Sequence, residues 1–68
     1  MTIGLIYKHK DCRDVAIMPV KIFKLKDKIK VRARWINVSS PKNFYEICID
    51  NIVIKKEDLN KWKRIDYP

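Results

Sequence analysis

Hydrophobic and polar residues alternate along much of this chain, with the two-residue period of β-strands. From Phe23 to Trp35 the odd positions hold Phe23, Leu25, Asp27, Ile29, Val31, Ala33 and Trp35. Every even position between them, Lys24, Lys26, Lys28, Lys30, Arg32 and Arg34, is basic. Side chains alternate faces along a strand, so the segment predicts a hairpin with one apolar and one cationic face. Keeping the two apolar faces together requires a turn with an odd number of residues, centred near Asp27. That turn sets Leu25 opposite Ile29, Phe23 opposite Val31 and Lys24 opposite Lys30. It has no glycine, although three-residue hairpin loops favour a residue that accepts the left-handed conformation.

The rest of the chain divides into further short elements. Thr2 to Tyr7 reads as a strand with Ile3, Leu5 and Tyr7 on one side, and Lys8 to Asp14, polar apart from Cys12, as a loop. Val15 to Leu25 is apolar and β-branched, and Pro19 within it calls for an edge, a bulge or a bend. Ile29 to Val38 forms the next strand and Ser39 to Asn43 a turn. A second hairpin is predicted from Phe44–Ile49 and Ile52–Ile54, with Asp50-Asn51 as a two-residue turn pairing Ile49 with Ile52 and Ile47 with Ile54. In the tail, Glu57 and Asp58 precede Lys61, Lys63 and Arg64, the order that complements a helix dipole. Leu59 and Trp62 are spaced to face the sheet from one short helix or 3-10 turn, and Ile65 and Tyr67 fit a last short strand. The fold class expected is mainly β: a small antiparallel SH3-like or OB-like barrel of about five strands with a short C-terminal helix or 3-10 turn. An open antiparallel sheet capped by a C-terminal helix is the alternative.

A chain of 68 residues makes a single small β domain, residues 1–68. Its 47% hydrophobic content is enough for a core. Sixteen Lys and Arg against eight Asp and Glu give a net charge of +8, which attracts polyanions such as nucleic acid, anionic lipid or an acidic protein surface. Lysine used for solubility is the plainer reading of the same number. The apolar start is too short for a signal peptide, and no stretch approaches the ~20 apolar residues of a membrane span. The expectation is a cytoplasmic protein with no membrane partner and with Cys12 and Cys48 as reduced thiols.

The sharpest candidate site is the cationic face, Lys24, Lys26, Lys28, Lys30, Arg32 and Arg34, for nucleic acid or another anion. Cations two residues apart on a strand sit about 6–7 Å from each other, comparable to phosphate spacing along a nucleic-acid strand. Like charges opposite one another are destabilising, so an anionic ligand, or Glu46 from the next strand, would relieve them. A solvated outer face is the plainer reading. Trp35, Phe44, Tyr45, Trp62 and Tyr67 are candidates for base stacking. Trp35 shares parity with Val31 and Ala33, and Trp62 pairs with Leu59, so both are expected in the core, which leaves Phe44 and Tyr67. A second candidate is a binding loop with Lys8, His9, Lys10 and Arg13; the plainer reading there is a connection in which Asp11 and Asp14 make turn hydrogen bonds.

His9 and Cys12 have a metal-like spacing, but a structural zinc site usually takes two close pairs of ligands, and no metal or cofactor is expected. Cys48 alternates with Glu46 and is expected as a small apolar filler on the outer face of a sheet. No nucleophile with an oxyanion loop, no glycine-rich phosphate loop and no paired carboxylates stand out, so no enzyme active site is read here.

The segments Tyr7-Lys8-His9-Lys10-Asp11-Cys12-Arg13-Asp14-Val15-Ala16 and Val31-Arg32-Ala33-Arg34-Trp35-Ile36-Asn37 resemble short uncharacterised proteins of tailed bacteriophages. The resemblance implies a phage or prophage setting, and hence the cytoplasm of a host cell, where tiny basic proteins bind host proteins or nucleic acid. The first functional expectation is a non-enzymatic binding module contacting nucleic acid, or a nucleic-acid-bound machine. The second is a phage-encoded modulator or inhibitor that binds an acidic surface of a host protein, and the third is a virion or packaging component. An exposed edge strand leaves both a monomer and a homodimer open.

Overall fold

The computed structural model describes residues 1–66. Five antiparallel strands make one sheet: β1 (Ile6–His9), β2 (Val15–Lys24), β3 (Lys28–Asn37), β4 (Tyr45–Lys55) and β5 (Trp62–Ile65). A 3-10 helix, η1 (Lys56–Lys61), joins β4 to β5. The order across the sheet is β4-β3-β2-β1-β5, so successive strands are neighbours until η1 carries the chain back to β1. The sheet is not closed, and β4 and β5 are its edges. The mainly β class and the 3-10 turn match the sequence pattern. Tyr67, placed by that pattern in the last strand, lies outside the described residues. No helix among the described residues is long and apolar enough to cross a membrane.

β3 organises the rest. Its residues pair with β2 along one edge and with β4 along the other. Ile29, Val31 and Ala33 point to one side and are buried, with Ile17 of β2 and Ile54 of β4. Trp35, Ile52, Tyr7, Ile22, Met1, Leu59 and Trp62 pack around them. Leu59 and Trp62 thus reach the sheet from η1 and the start of β5, as their spacing predicts. On the opposite side, Ile6, Ala16 and Ile36 form a second, smaller cluster with Met18, Val38, Phe44 and Ile65. The connection from Val38 to Phe44 covers that end of the second face. The other end, where β2, β3 and β4 run beyond the short strands, stays open.

Three predicted registers are corrected. The first hairpin closes with an even loop: Lys24 stands opposite Ile29, with Leu25, Lys26, Asp27 and Lys28 between them. Phe23 therefore faces Lys30 and Ile22 faces Val31, rather than Phe23 facing Val31 and Lys24 facing Lys30. The cause is the missing left-handed residue. Gly4 alone has a positive φ among the described residues, so a three-residue loop has nothing to turn on, and Leu25 N–H instead donates to Lys28 O at 2.9 Å. A bulge compensates farther along β2. The register shifts between Pro19 and Lys21, leaving Val20 unpaired, so Pro19 and Ile17 keep the core side although Lys21 and Phe23 do not. The bulge falls where Pro19 predicts one.

The second predicted hairpin is absent. Asp50-Asn51 lies in the middle of one continuous strand, and Ile52 and Ile54 pair with Val31 and Ile29. A turn at Asp50-Asn51 would leave part of the long outer edge of β3 without partners, whereas an uninterrupted β4 satisfies its backbone groups. Ile47 and Ile49 consequently stand in solvent, with Tyr45 and Val53.

The start of the chain is the third correction. Thr2 to Leu5 is a turn, Ile3 is exposed, and pairing begins at Ile6. Gly4 makes that turn with φ +85 while its N–H donates to Pro19 O at 2.9 Å. Open space surrounds the position where a Cβ would stand, so Gly4→Ala has only backbone strain to overcome. It is expected to destabilise the fold by about 1 kcal/mol in urea unfolding.

In η1, Lys61 Nζ meets Asp58 Oδ1 at 3.0 Å, and that hydrogen bond, followed by the charge of Asp58, raises the Lys61 pKa above 10.5. The folded-state value is the higher one, so this contribution to stability is complete below the unfolded lysine pKa and is lost as pH rises through the folded value. A side-chain NMR titration should find Lys61 titrating above the ordinary range and returning to it in Asp58→Asn.

Candidate functional site

Register decides which cations share a surface. On the open end of the second face, Lys28 stands opposite Lys55. Next come Phe23, Lys30 and Val53 in one cross-strand row, and then Lys21, Arg32 and Asn51. The following row holds Met18, Arg34 and Ile49. Four predicted site residues, Lys28, Lys30, Arg32 and Arg34, are therefore brought together. Lys21 and Lys55 join them by register.

Two predicted members are elsewhere. Lys24 turns with Ile29 to the core side, where it lines a groove with Met1, Ile22, Lys56 and Leu59. Lys26 sits in the turn with Asp27, beside Lys55, Lys56 and Glu57. The even loop accounts for both: it moves Lys24 off the face where strict parity along the chain would put it.

Charge on this face is poorly compensated. Lys28 opposite Lys55 and Lys21 opposite Arg32 are like-charge cross-strand pairs, which destabilise a sheet. Arg34 is the exception. Its Nη1 donates to both carboxylate oxygens of Glu46, at 3.2 and 3.1 Å, so Glu46 neutralises Arg34 rather than the Lys24–Lys30 pair it was expected to relieve. Arg32 Nη1 reaches only the amide oxygen of Asn51, at 3.5 Å.

Phe23 lies amid these cations with 50% of its surface exposed. Lys21 Nζ sits 5.0 Å from its ring centroid. A shallow groove of about 400 Å³ is lined by Phe23, Lys30, Val31, Arg32 and Asn51. Phe23, Lys21 and Lys55 are the site residues that sequence parity assigned wrongly or passed over. The signal that finds Phe23 and Lys21 is the glycine-free turn together with Pro19.

The other stacking candidates divide differently. Trp35 and Trp62 are half-buried in the larger cluster, as expected, and Phe44 packs on the smaller one rather than standing free. Tyr45 is 54% exposed, and Tyr67 lies outside the described residues.

Of the loop candidates, Lys8 shares the second face by register with Ile6 and Ile65 but lies apart from the cationic rows, and the others do not join them. Lys8 and His9 belong to β1, opposite Lys63 and Trp62. The His9 ring packs edge-on against Trp62, with centroids 4.9 Å apart, and its Nδ1 accepts a hydrogen bond from Asp11 N–H. These contacts give His9 a structural role in shaping the turn. Lys10 N–H donates to Lys61 O, and Arg13 is exposed.

Both cysteines are free thiols, and Cys48 is exposed. A second bulge, at Ile47, sets Cys48 opposite Trp35, on the other face from Glu46, so it does not fill the outer face as predicted. Among the described residues, no three His, Cys, Asp or Glu side chains gather as a metal site. Comparison with protein-family models, with curated proteins and with solved structures returned no match.

The Arg34–Glu46 pair is half-exposed, so its value is modest. A double-mutant cycle with Arg34→Ala and Glu46→Ala is expected to give a coupling of roughly 0.2–1 kcal/mol that shrinks with added salt.

Proposed function

We propose that this protein is a small non-enzymatic binding module that holds nucleic acid, or a nucleic-acid-bound machine, by phosphate contacts from Lys21, Lys28, Lys30, Arg32 and Lys55. The observation that carries the reading is the pairing of like charges: β2 and β3 present cations directly opposite one another at Lys21–Arg32, and β3 and β4 do so at Lys28–Lys55. Among the described residues no ion pair neutralises either couple, although Asp27 and Glu57 line the groove beside Lys28 and Lys55, and a phosphate backbone would remove the repulsion. Rows on one face of a sheet are about 6–7 Å apart, a spacing that suits successive phosphates.

An acidic surface of a host protein would meet the same cations, in the phage setting that the sequence resemblance implies. The half-exposed aromatic ring among the cations favours nucleic acid over that second reading. We also read the open sheet as an SH3-like barrel left partly unclosed. What supports this is the meander order with its return to β1, and the groove that Ile52 and Ile54 of β4 share with Trp62 of β5.

Affinity for single- and double-stranded oligonucleotides, measured at about 50 mM and about 200 mM salt, tests the proposal. Binding should weaken steeply with salt. Lys30→Gln combined with Arg32→Gln should lower the slope of log affinity against log salt by roughly one to two, and Lys24→Gln should leave it nearly unchanged. Absence of binding to either form at the lower salt would refute the reading.

A further inference from the structure

We infer that the cationic face takes single strands in preference to duplex, with Phe23 as the platform on which one unstacked base lies. The inference rests on the nucleic-acid reading above and adds the form of the ligand. Its starting point is the corrected register. A large apolar ring that parity placed in the core stands instead in solvent at the centre of the cationic rows, half its surface uncovered.

The surroundings of Phe23 match what a single strand offers and a duplex withholds. The π-face of the ring holds a cation, Lys21 Nζ, 5.0 Å from its centroid, and a group from solvent reaches that face by displacing this flexible side chain. Every base has such a π-face, and aromatic–base stacking combined with a basic groove is the general means of holding single strands. In a duplex the base faces are already stacked on one another, and only phosphates and groove edges reach a flat sheet. Phe23 would gain nothing there.

The neighbouring rows complete the site. Across β3 from Phe23, Val53 is 57% exposed, so Lys30 is flanked on both sides by apolar surface. In the next row Lys21 and Arg32 supply cations, and Asn51 supplies a carboxamide with both donor and acceptor atoms for a base edge. The groove bounded by Phe23, Lys30, Arg32 and Asn51 thus pairs a stacking surface with phosphate and base-edge contacts. When a base occupies the ring, the Lys21 ammonium is displaced from it and becomes available to the adjoining phosphate.

Fluorescence anisotropy with a short labelled oligothymidine, a mixed-sequence single strand and the corresponding duplex provides the test, using the wild-type chain, Phe23→Ala, Phe23→Leu and Phe23→Trp. Wild type should bind both single strands more tightly than the duplex at equal salt. Phe23→Ala should lose about 5- to 150-fold on single strands and change little on the duplex. Phe23→Leu keeps apolar bulk without a π-face and should show a similar loss, whereas Phe23→Trp should retain single-strand affinity. Circular dichroism of each variant separates loss of binding from loss of fold, and Phe23→Leu carries the test if Phe23→Ala unfolds. Equal affinity for single strand and duplex, or Phe23→Leu binding like wild type, would overturn the inference and leave the phosphate reading standing. No binding of any oligonucleotide at low salt would overturn both.

Discussion

Hydrogen bonding of β3 to a neighbour on each side is the constraint on which the molecule depends. Once β3 is paired along both edges, every side chain of β2 and β4 is committed to one face or the other. The small core follows from that commitment. Ile29, Val31 and Ala33 supply its centre, Ile17 and Ile54 close it from either side, and η1 brings Leu59 to cover it. Without the central ladder, neither edge strand has enough apolar surface of its own to bury.

The same constraint makes the two faces unequal. One side of the sheet is apolar along the whole length of β3 and is covered by η1 and the chain start. The other is buried only near Ile36, under the connection that carries Val38 and Phe44. Beyond Arg34 no described residue folds over it, and cations share the space with the exposed Phe23 and Val53. The larger part of the core thus lies on one side of the sheet, and the cationic rows lie on the other beside the smaller cluster.

How much of this was legible in the sequence depends on how locally each feature is encoded. Burial of Ile29, Val31 and Ala33 is written in strict alternation and could be read directly. The bulge near Pro19 and the packing of Leu59 and Trp62 were also legible, because a missing N–H and a three-residue spacing act within a few residues. Phe23, Lys24, Ile47 and Ile49 were not. Their facing depends on the parity of a turn and on whether β4 runs past Asp50-Asn51, and both are settled by pairing with a distant strand. Asp50-Asn51 has the composition of a tight turn, and the continuous edge of β3 overrides it. The candidate site was accordingly half legible: its β3 cations follow from alternation, but its aromatic member and the contribution of β2 do not.

Val20, the unpaired residue beside Pro19, has a consequence for how such a chain can change over generations. It is the extra residue between two stretches that are each in register with β3, Pro19 with Ala33 on one side and Lys21 with Arg32 on the other. A one-codon deletion here would straighten the strand and leave every pair, and so both surfaces, as they stand. The bulge is thus the place in β2 where inheritance can change length without exchanging interior for exterior.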